Sequence, residues 1–270
     1  MSAKTLQTLV VTMNRDDFSF IIENNIKSDV VIANQSDRTS YSEETGPDDQ
    51  RIKMITTNTK GVGKNRNICL LFADADSLLF ADDDVKYDDG VKEAVLQAFS
   101  DIPKADVIVF GIRFSKNGEI TGTKRMKRGR LHIWNSLDFA TPLIAVKRKS
   151  IVRKRIFFSE LFGGGCVYSH GEDTLFIVDC LKKHLKLYSY NFVLGTTFKD
   201  SSTCFDGYNE RFYYNFGALA RAIFGKMAYL YMLYFIMRTK NMSKLSGKEK
   251  MRYLKAGYKS YPDQIAFGEQ

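Results

Sequence analysis

This chain of 270 residues is poor in the residues that mark several function classes. It has four cysteines, Cys69, Cys166, Cys180 and Cys204, and none forms a CxxC pair. That spacing argues against a disulfide framework and a thiolate zinc site, and predicts reduced, packed thiols of a cytoplasmic protein. Its three histidines, His132, His170 and His184, share no ligand spacing. His184 closes a helical pattern, where partnering the helix dipole is the expected role. The lone tryptophan, Trp134, reads as core packing, with a stacking platform for a sugar as the other reading. No Ser/His/Asp or Cys/His set stands at a nucleophile's spacing. The first apolar run is short and meets Asn14, Arg15, Asp16 and Asp17 at once, so it reads as a strand and not a signal peptide. The purely apolar run 227–237 is about half the length that spans a bilayer. Internal repeats and low-complexity linkers are also missing.

Positive charge, in contrast, is in excess. Lys and Arg number 40 against 31 Asp and Glu, a net charge of +9. The excess is uneven. It gathers in KRMKRGR (124–130), in KRKSIVRKR (147–155), and between Arg238 and Lys259, where eight cations face Glu249 alone. A basic face attracts nucleic acid, anionic lipid or a phosphorylated substrate. Each block taken singly is equally well a solvated surface.

Apolar runs at 6–13, 29–33, 51–56, 77–81 and 106–112 read as buried strands. Helical periodicity follows at 16–26, 68–72, 88–100 and 172–184. The polar stretch 35–50 reads as a surface loop. Strands alternating with helices predict an α/β domain with a mostly parallel sheet. Ligands on such sheets sit outside the carboxyl ends of the strands, where Asn34 and Asp82–Asp84 fall. Residues 217–237 read as one amphipathic helix, followed by a lysine-rich segment.

Three segments carry chemistry. In FADDDVKY (80–87) an apolar strand ends in Asp82, Asp83 and Asp84. Carboxylates that close repel one another, and a hard cation such as Mn²⁺ or Mg²⁺ neutralises them, held by one or two carboxylates plus substrate phosphates. The competing reading is an acidic turn or a helix start capped by Asp84 or Asp88. GVGKNRN (61–67) fails the Walker spacing, and Arg66 occupies the third glycine position of GxGxxG. What remains is a turn into a helix whose first turn carries Lys64 and Arg66, which suits a phosphate; an ordinary helix start is the alternative. SHGEDTLF (169–176) puts Glu172 and Asp173 in a first helical turn. Ser169 and Glu172 have the spacing of a capping box, which leaves Asp173 as a general base.

In this order the pieces resemble family 2 glycosyltransferases of the GT-A fold, most closely bacterial enzymes of capsular and surface polysaccharide synthesis. The resemblance covers about residues 6–210 and rests on LVVTMNR, VVIANQSD, GVGKNRN, LLFADDDVKY and FGGGCVYSHGEDTLF, with DSSTCFDGY (200–208) as a further piece. It implies a GT-A catalytic domain at 1–210, with a Rossmann-like, mostly parallel sheet flanked by helices, and a helical, basic extension at 211–270. It implies an inverting, metal-dependent transfer from a nucleotide sugar, a UDP-sugar, to a saccharide or lipid-linked saccharide. Thr12, Asn34, Lys64, Arg66, Asp82 and Asp83 would hold the nucleotide sugar. Asn34 stands where many relatives have an acid. Asp84 and Asp82 would hold Mn²⁺ or Mg²⁺, and Asp173, beside Glu172, would deprotonate the acceptor. The expected location is the cytoplasm, peripherally on the inner face of the plasma membrane through the C-terminal helices, with no nucleic-acid partner. A metal-dependent nucleotidyltransferase and a basic nucleic-acid-binding protein are the competing readings.

Overall fold

In a computed structural model of the chain, the structure describes residues 5–137, 139–198 and 207–269. The chain packs into two units. The first comprises residues 1–60, 64–158 and 176–202, and the second residues 61–63, 159–175 and 203–270.

The first unit is built on one sheet of eleven strands among the described residues. In chain order the strands are β1 (Leu6–Met13), β2 (Asp29–Gln35), β3 (Ser40–Thr45), β4 (Arg51–Thr57), β5 (Ser77–Asp82), β6 (Val85–Tyr87), β7 (Val107–Lys116), β8 (Glu119–Lys124), β9 (Gly129–Arg130), β10 (Ile144–Lys147) and β11 (Leu187–Phe198). The spatial order is β3-β4-β2-β1-β5-β10-β7-β11-β6. Strands β4, β2, β1 and β5 run parallel, as do β7 and β11. Strand β10 inserts antiparallel between β5 and β7. The near-continuous apolar runs Val30–Ala33, Leu78–Ala81 and Val107–Phe110 are buried, as parallel strands covered on both faces require. The helices are α1 (Ser19–Glu23), α2 (Val62–Phe72), α3 (Val91–Asp101), α4 (Arg148–Lys154) and α5 (Glu172–Lys182). Phe80 of β5 meets Phe158 and Phe176 edge-on, and those two rings stack at 4.3 Å.

Several expectations need correction. The 35–50 stretch carries β3, antiparallel to β4. As an edge strand with almost every side chain in solvent, it needs no apolar alternation, so the sequence reads as loop. The helix expected at 16–26 is the five-residue α1; Asp17 instead accepts the Ser19 N–H and hydroxyl, which holds its carboxyl below the usual range. Trp134 does not pack in the core. It is 80% exposed, on a single 3₁₀ turn at Ile133–Asn135.

The tail forms α6 (Glu210–Phe224), α7 (Ala228–Arg238) and α8 (Gly247–Ser260). The single helix expected at 217–237 is therefore two, parted by a 3₁₀ turn at Gly225–Met227. Gly225, at φ 55°, ends α6 with a positive φ that favours glycine. Helices α6 and α8 cross backbone to backbone. A Cβ on Gly217 would lie 2.0 Å from the Leu254 carbonyl oxygen, and one on Gly257 would lie 1.8 Å from that of Tyr214. Lys250, counted above among the surface cations, is buried. Its ammonium donates to the Thr239 carbonyl at 2.7 Å and lies over the Tyr213 ring, which satisfies the end of α7. Ser246 and Glu249 form the capping box that starts α8.

Candidate active site

The parallel strands end along one edge, and their register brings Thr12, Asn34 and Asp82 together there. Thr12 pairs with Asn34, Asn34 with Thr56, and Val11 with Asp82. The acidic triplet closes the turn from β5 into β6, so it is an acidic turn at a sheet edge and not a helix cap. Asp88 instead bonds Arg113. The turn is pinned by backbone bonds: the Asp83 carbonyl accepts from the Asn24 amide at 2.8 Å, and the Asp84 carbonyl from the Phe198 N–H at 3.2 Å.

Each carboxylate has a different partner. Asp82 accepts from the Arg66 guanidinium at 2.9 Å. Arg66 is buried on α2 and its guanidinium lies 5.4 Å from the centre of the Phe158 ring. Asp83 accepts from the Thr12 hydroxyl at 2.5 Å, with Arg15 3.9 Å away. Asp84 bonds the Thr197 hydroxyl, and burial, reinforced by the Asp82 and Asp83 carboxylates, pushes its carboxyl up to about 7. Beside them lies Tyr87, whose buried hydroxyl has no hydrogen-bond partner among the described residues; burial, then Asp82 and Asp84, pushes its pKa up.

Asn34 is fully buried. Its amide accepts from the Arg15 N–H at 3.1 Å and donates to the Arg15 carbonyl at 2.8 Å and the Thr56 hydroxyl at 3.2 Å. It therefore clamps the loop after β1. Lys64 is half-exposed in the first turn of α2.

In the second unit, Glu172 and Asp173 occupy the first turn of α5, where carboxylates suit the positive end of the helix. Because α5 starts at Glu172, Ser169 lies two residues before the cap position of the expected capping box, and its hydroxyl instead accepts from the Asn215 amide at 2.6 Å. Glu172 is buried against Gly163, where a Cβ would come within 2.8 Å of the carboxyl carbon. Gly163 also needs its φ of 107°, which only glycine adopts without strain. Asp173 is half-exposed, so solvent reaches it more readily than Glu172. His170 is half-buried, with its Nε2 shut off from solvent, and stacks on Phe212 at 4.6 Å; desolvation, and secondarily Arg211, push its pKa down to about 4. Cys69 and Cys180 are free, buried thiols, and burial pushes Cys69 up to about 12. Most of DSSTCFDGY, with Cys204, lies outside the described residues.

Arg15, Tyr87 and Thr197 were not singled out in the sequence. Arg15 closes the LVVTMNR segment and could have been read from it. Tyr87 and Thr197 carry no local signal, because only strand pairing places Thr197 opposite Val85.

Residues 27–157 match the family model described as Glycosyl transferase family 2. That match takes in Asn34, Lys64, Arg66 and Asp82–Asp84, and stops short of Thr12, Glu172 and Asp173. The chain has a GT-A fold. Its structure is similar to the crystal structure of S. aureus TarS 1-349, at 16% identity and a TM-score of 0.58, over 96% of this chain and 71% of that one. It is similar also to that protein in complex with UDP-GlcNAc, at 17% identity and a TM-score of 0.60, over 96% and 72%. Against the longer S. aureus TarS chain it reaches a TM-score of 0.55 at 17% identity, over 97% of this chain and 44% of that one. At such identities the likeness shows the fold alone. No curated protein sequence matches the chain.

Among the described residues, no three His, Cys, Asp or Glu side chains are grouped to hold a metal ion. A prebuilt cage is thus not what the acidic turn offers. Its hard oxygens, and an Asp84 carboxyl crowded by two like charges, fit an ion held by one or two carboxylates plus the oxygens of a diphosphate.

Proposed function

We propose that this protein is an inverting glycosyltransferase. It moves a sugar from a nucleoside-diphosphate donor, a UDP-sugar, to a saccharide or lipid-linked saccharide acceptor of a surface polysaccharide. The observation that carries this reading is the acidic turn Asp82–Asp84 at the carboxyl edge of the parallel strands, inside the segment that matches the family model. The UDP-GlcNAc complex of the structurally similar TarS supports a UDP donor. The family match favours this reading over the nucleotidyltransferase and the nucleic-acid readings.

Asp84 and Asp82 would hold Mn²⁺ or Mg²⁺ on the diphosphate. The ion, when bound, stabilises the charge of the departing diphosphate as a Lewis acid. The chain's own residues do the rest. Arg66 keeps one oxygen of Asp82 occupied and so orients the other. Thr12 and Arg15 fix Asp83 toward the nucleotide end, and Asn34 holds the Arg15 loop in place. Lys64 adds a cation at the start of α2 for the phosphates. Asp173 takes the proton from the acceptor hydroxyl as that oxygen attacks the anomeric carbon from the side opposite the diphosphate. Direct displacement of this kind inverts the centre. Glu172 supports the first turn beside Gly163.

The proposed place of work is the cytoplasmic face of the plasma membrane. The test is product analysis with a panel of nucleotide sugars and Mn²⁺: release of one nucleoside diphosphate, with inverted stereochemistry in the product, supports the reading. Release from no donor, or retention, overturns it.

A further inference from the structure

We propose that the outward face of α7 docks this protein on an anionic lipid bilayer, lying in the interface without crossing it. The inner side of α7 is spent on packing: Ala228 and Met232 are fully buried, and Phe235 stacks on Phe216 at 3.6 Å. Its other side is apolar too. Met227, Leu230, Leu233, Tyr234 and Met237 are each 51–69% exposed, and their spacing of three and four places them on one stripe. A contiguous apolar face of this kind on a folded protein marks an interaction surface.

Charge selects the occupant. Lys226 precedes the stripe, and Arg238, Lys240 and Lys244 follow it, all exposed. On the next helix, Lys248, Arg252, Lys255 and Lys259 recur at spacings of four, three and four, and are exposed as well. Helices α7 and α8 are joined at Tyr229 and Tyr258, whose rings lie 4.9 Å apart. Between Arg238 and Lys259 the only acid is Glu249, and it is tied into the Ser246 cap. An apolar stripe bordered by cations and by tyrosines complements acyl chains, phosphate headgroups and the boundary between them.

The same geometry sets the depth. Residues Glu210–Arg238 together are long and apolar enough to cross a bilayer by length and composition. The helix is broken at Gly225, however, and α6 is held against α8 through Gly217 and Gly257, which keeps it inside the protein. The 11 residues of α7 alone reach about 16 Å, half of a hydrocarbon core of about 30 Å. Lys250, bonded to the Thr239 carbonyl, fixes the end of α7 to α8, so the stripe is presented on a rigid element.

Flotation of the full chain with vesicles tests this without any donor or acceptor, so its failure leaves the transfer reading standing. Vesicles of phosphatidylcholine with phosphatidylglycerol should carry the protein at low salt, and pure phosphatidylcholine at least about ten-fold less. The variant Leu230→Gln/Leu233→Gln/Met237→Gln should lose at least about ten-fold in binding with an unchanged melting temperature. Lys255→Glu/Lys259→Glu should weaken binding to the anionic vesicles. The proposal is overturned if the wild type does not float with anionic vesicles, or if the glutamine variant floats as well as the wild type. It is overturned equally if sedimentation shows two copies joined through the stripe and no vesicle binding.

Discussion

The Arg66 guanidinium lies 2.9 Å from the Asp82 carboxylate, and so ties helix α2 to the acidic end of β5. The Arg66 side chain is 5% exposed and that of Asp82 32%, so the cation is the member of the pair that cannot recover its loss from water. Asp84, two residues on, has no guanidinium partner among the described residues, and carries a carboxyl pushed up to about 7 by burial and its two neighbours. The two acids of the proposed metal pair therefore differ in their partners, a guanidinium for Asp82 and a hydroxyl for Asp84.

That contrast is measurable as stability. Asp82→Ala removes the carboxylate that this buried guanidinium bonds and should cost about 1–3 kcal/mol in urea unfolding, less than a fully buried pair because Asp82 is partly solvated. Asp84→Asn removes a repelling carboxylate and should leave metal-free stability unchanged or higher, while transfer activity disappears. A metal-free Asp84→Asn protein clearly less stable than wild type would show that Asp84 is a structural group.

Asp173→Asn should lower turnover by about 10²–10⁴-fold, the range of a lost general base, with nucleoside-diphosphate binding unchanged. Near-normal turnover of the purified variant would remove Asp173 from the reaction. Glu172→Gln, buried beside Gly163, should act on folding more than on the pH profile of turnover.

The crossing of α6 and α8 admits no side chain. Gly217→Ala and Gly257→Ala would each place a carbon against a backbone oxygen, which cannot swing aside as a side-chain end can. Each should cost about 3 kcal/mol or more. Urea unfolding, with proteolysis to locate the loosened segment, checks this. A loss below 1 kcal/mol, well under the usual range for overpacking, would contradict the observed crossing.

His170 sets a pH dependence. Its folded pKa, pushed down to about 4, lies below the ordinary 6.5, so the unfolded chain binds more protons between those values. Stability should accordingly fall as pH drops from about 6.5 to about 4, by roughly 3 kcal/mol in all. His170→Phe, which keeps the stacking on Phe212, should flatten that slope.

The strands that hold the site were legible because parallel strands buried on both faces read as unbroken apolar runs, and LLFADDD announces both the strand and its charged end. Strand β3 was not, because an edge strand in solvent shows the composition of a loop. The break at Gly225 hid inside a run whose apolar periodicity continues across it. Lys250 looked like any other cation of a basic segment, and only the fold shows it capping α7. Asn34 was legible as a site residue by position, but its bonds to Arg15 depend on how the loop returns over β2. Tyr87 and Thr197 gain their places from pairing between β6 and β11, which no local pattern encodes.

In the proposed reading, Asp84 binds a cation that joins a nucleoside diphosphate to the sheet edge. Calorimetric titration of the purified chain with UDP, with and without Mn²⁺, addresses it most directly, with Asp84→Asn as the control and GDP and CDP as competitors for the base. UDP binding should require Mn²⁺ and be lost in Asp84→Asn. Binding by none of the three nucleotides, or binding indifferent to both Mn²⁺ and the substitution, would contradict that reading.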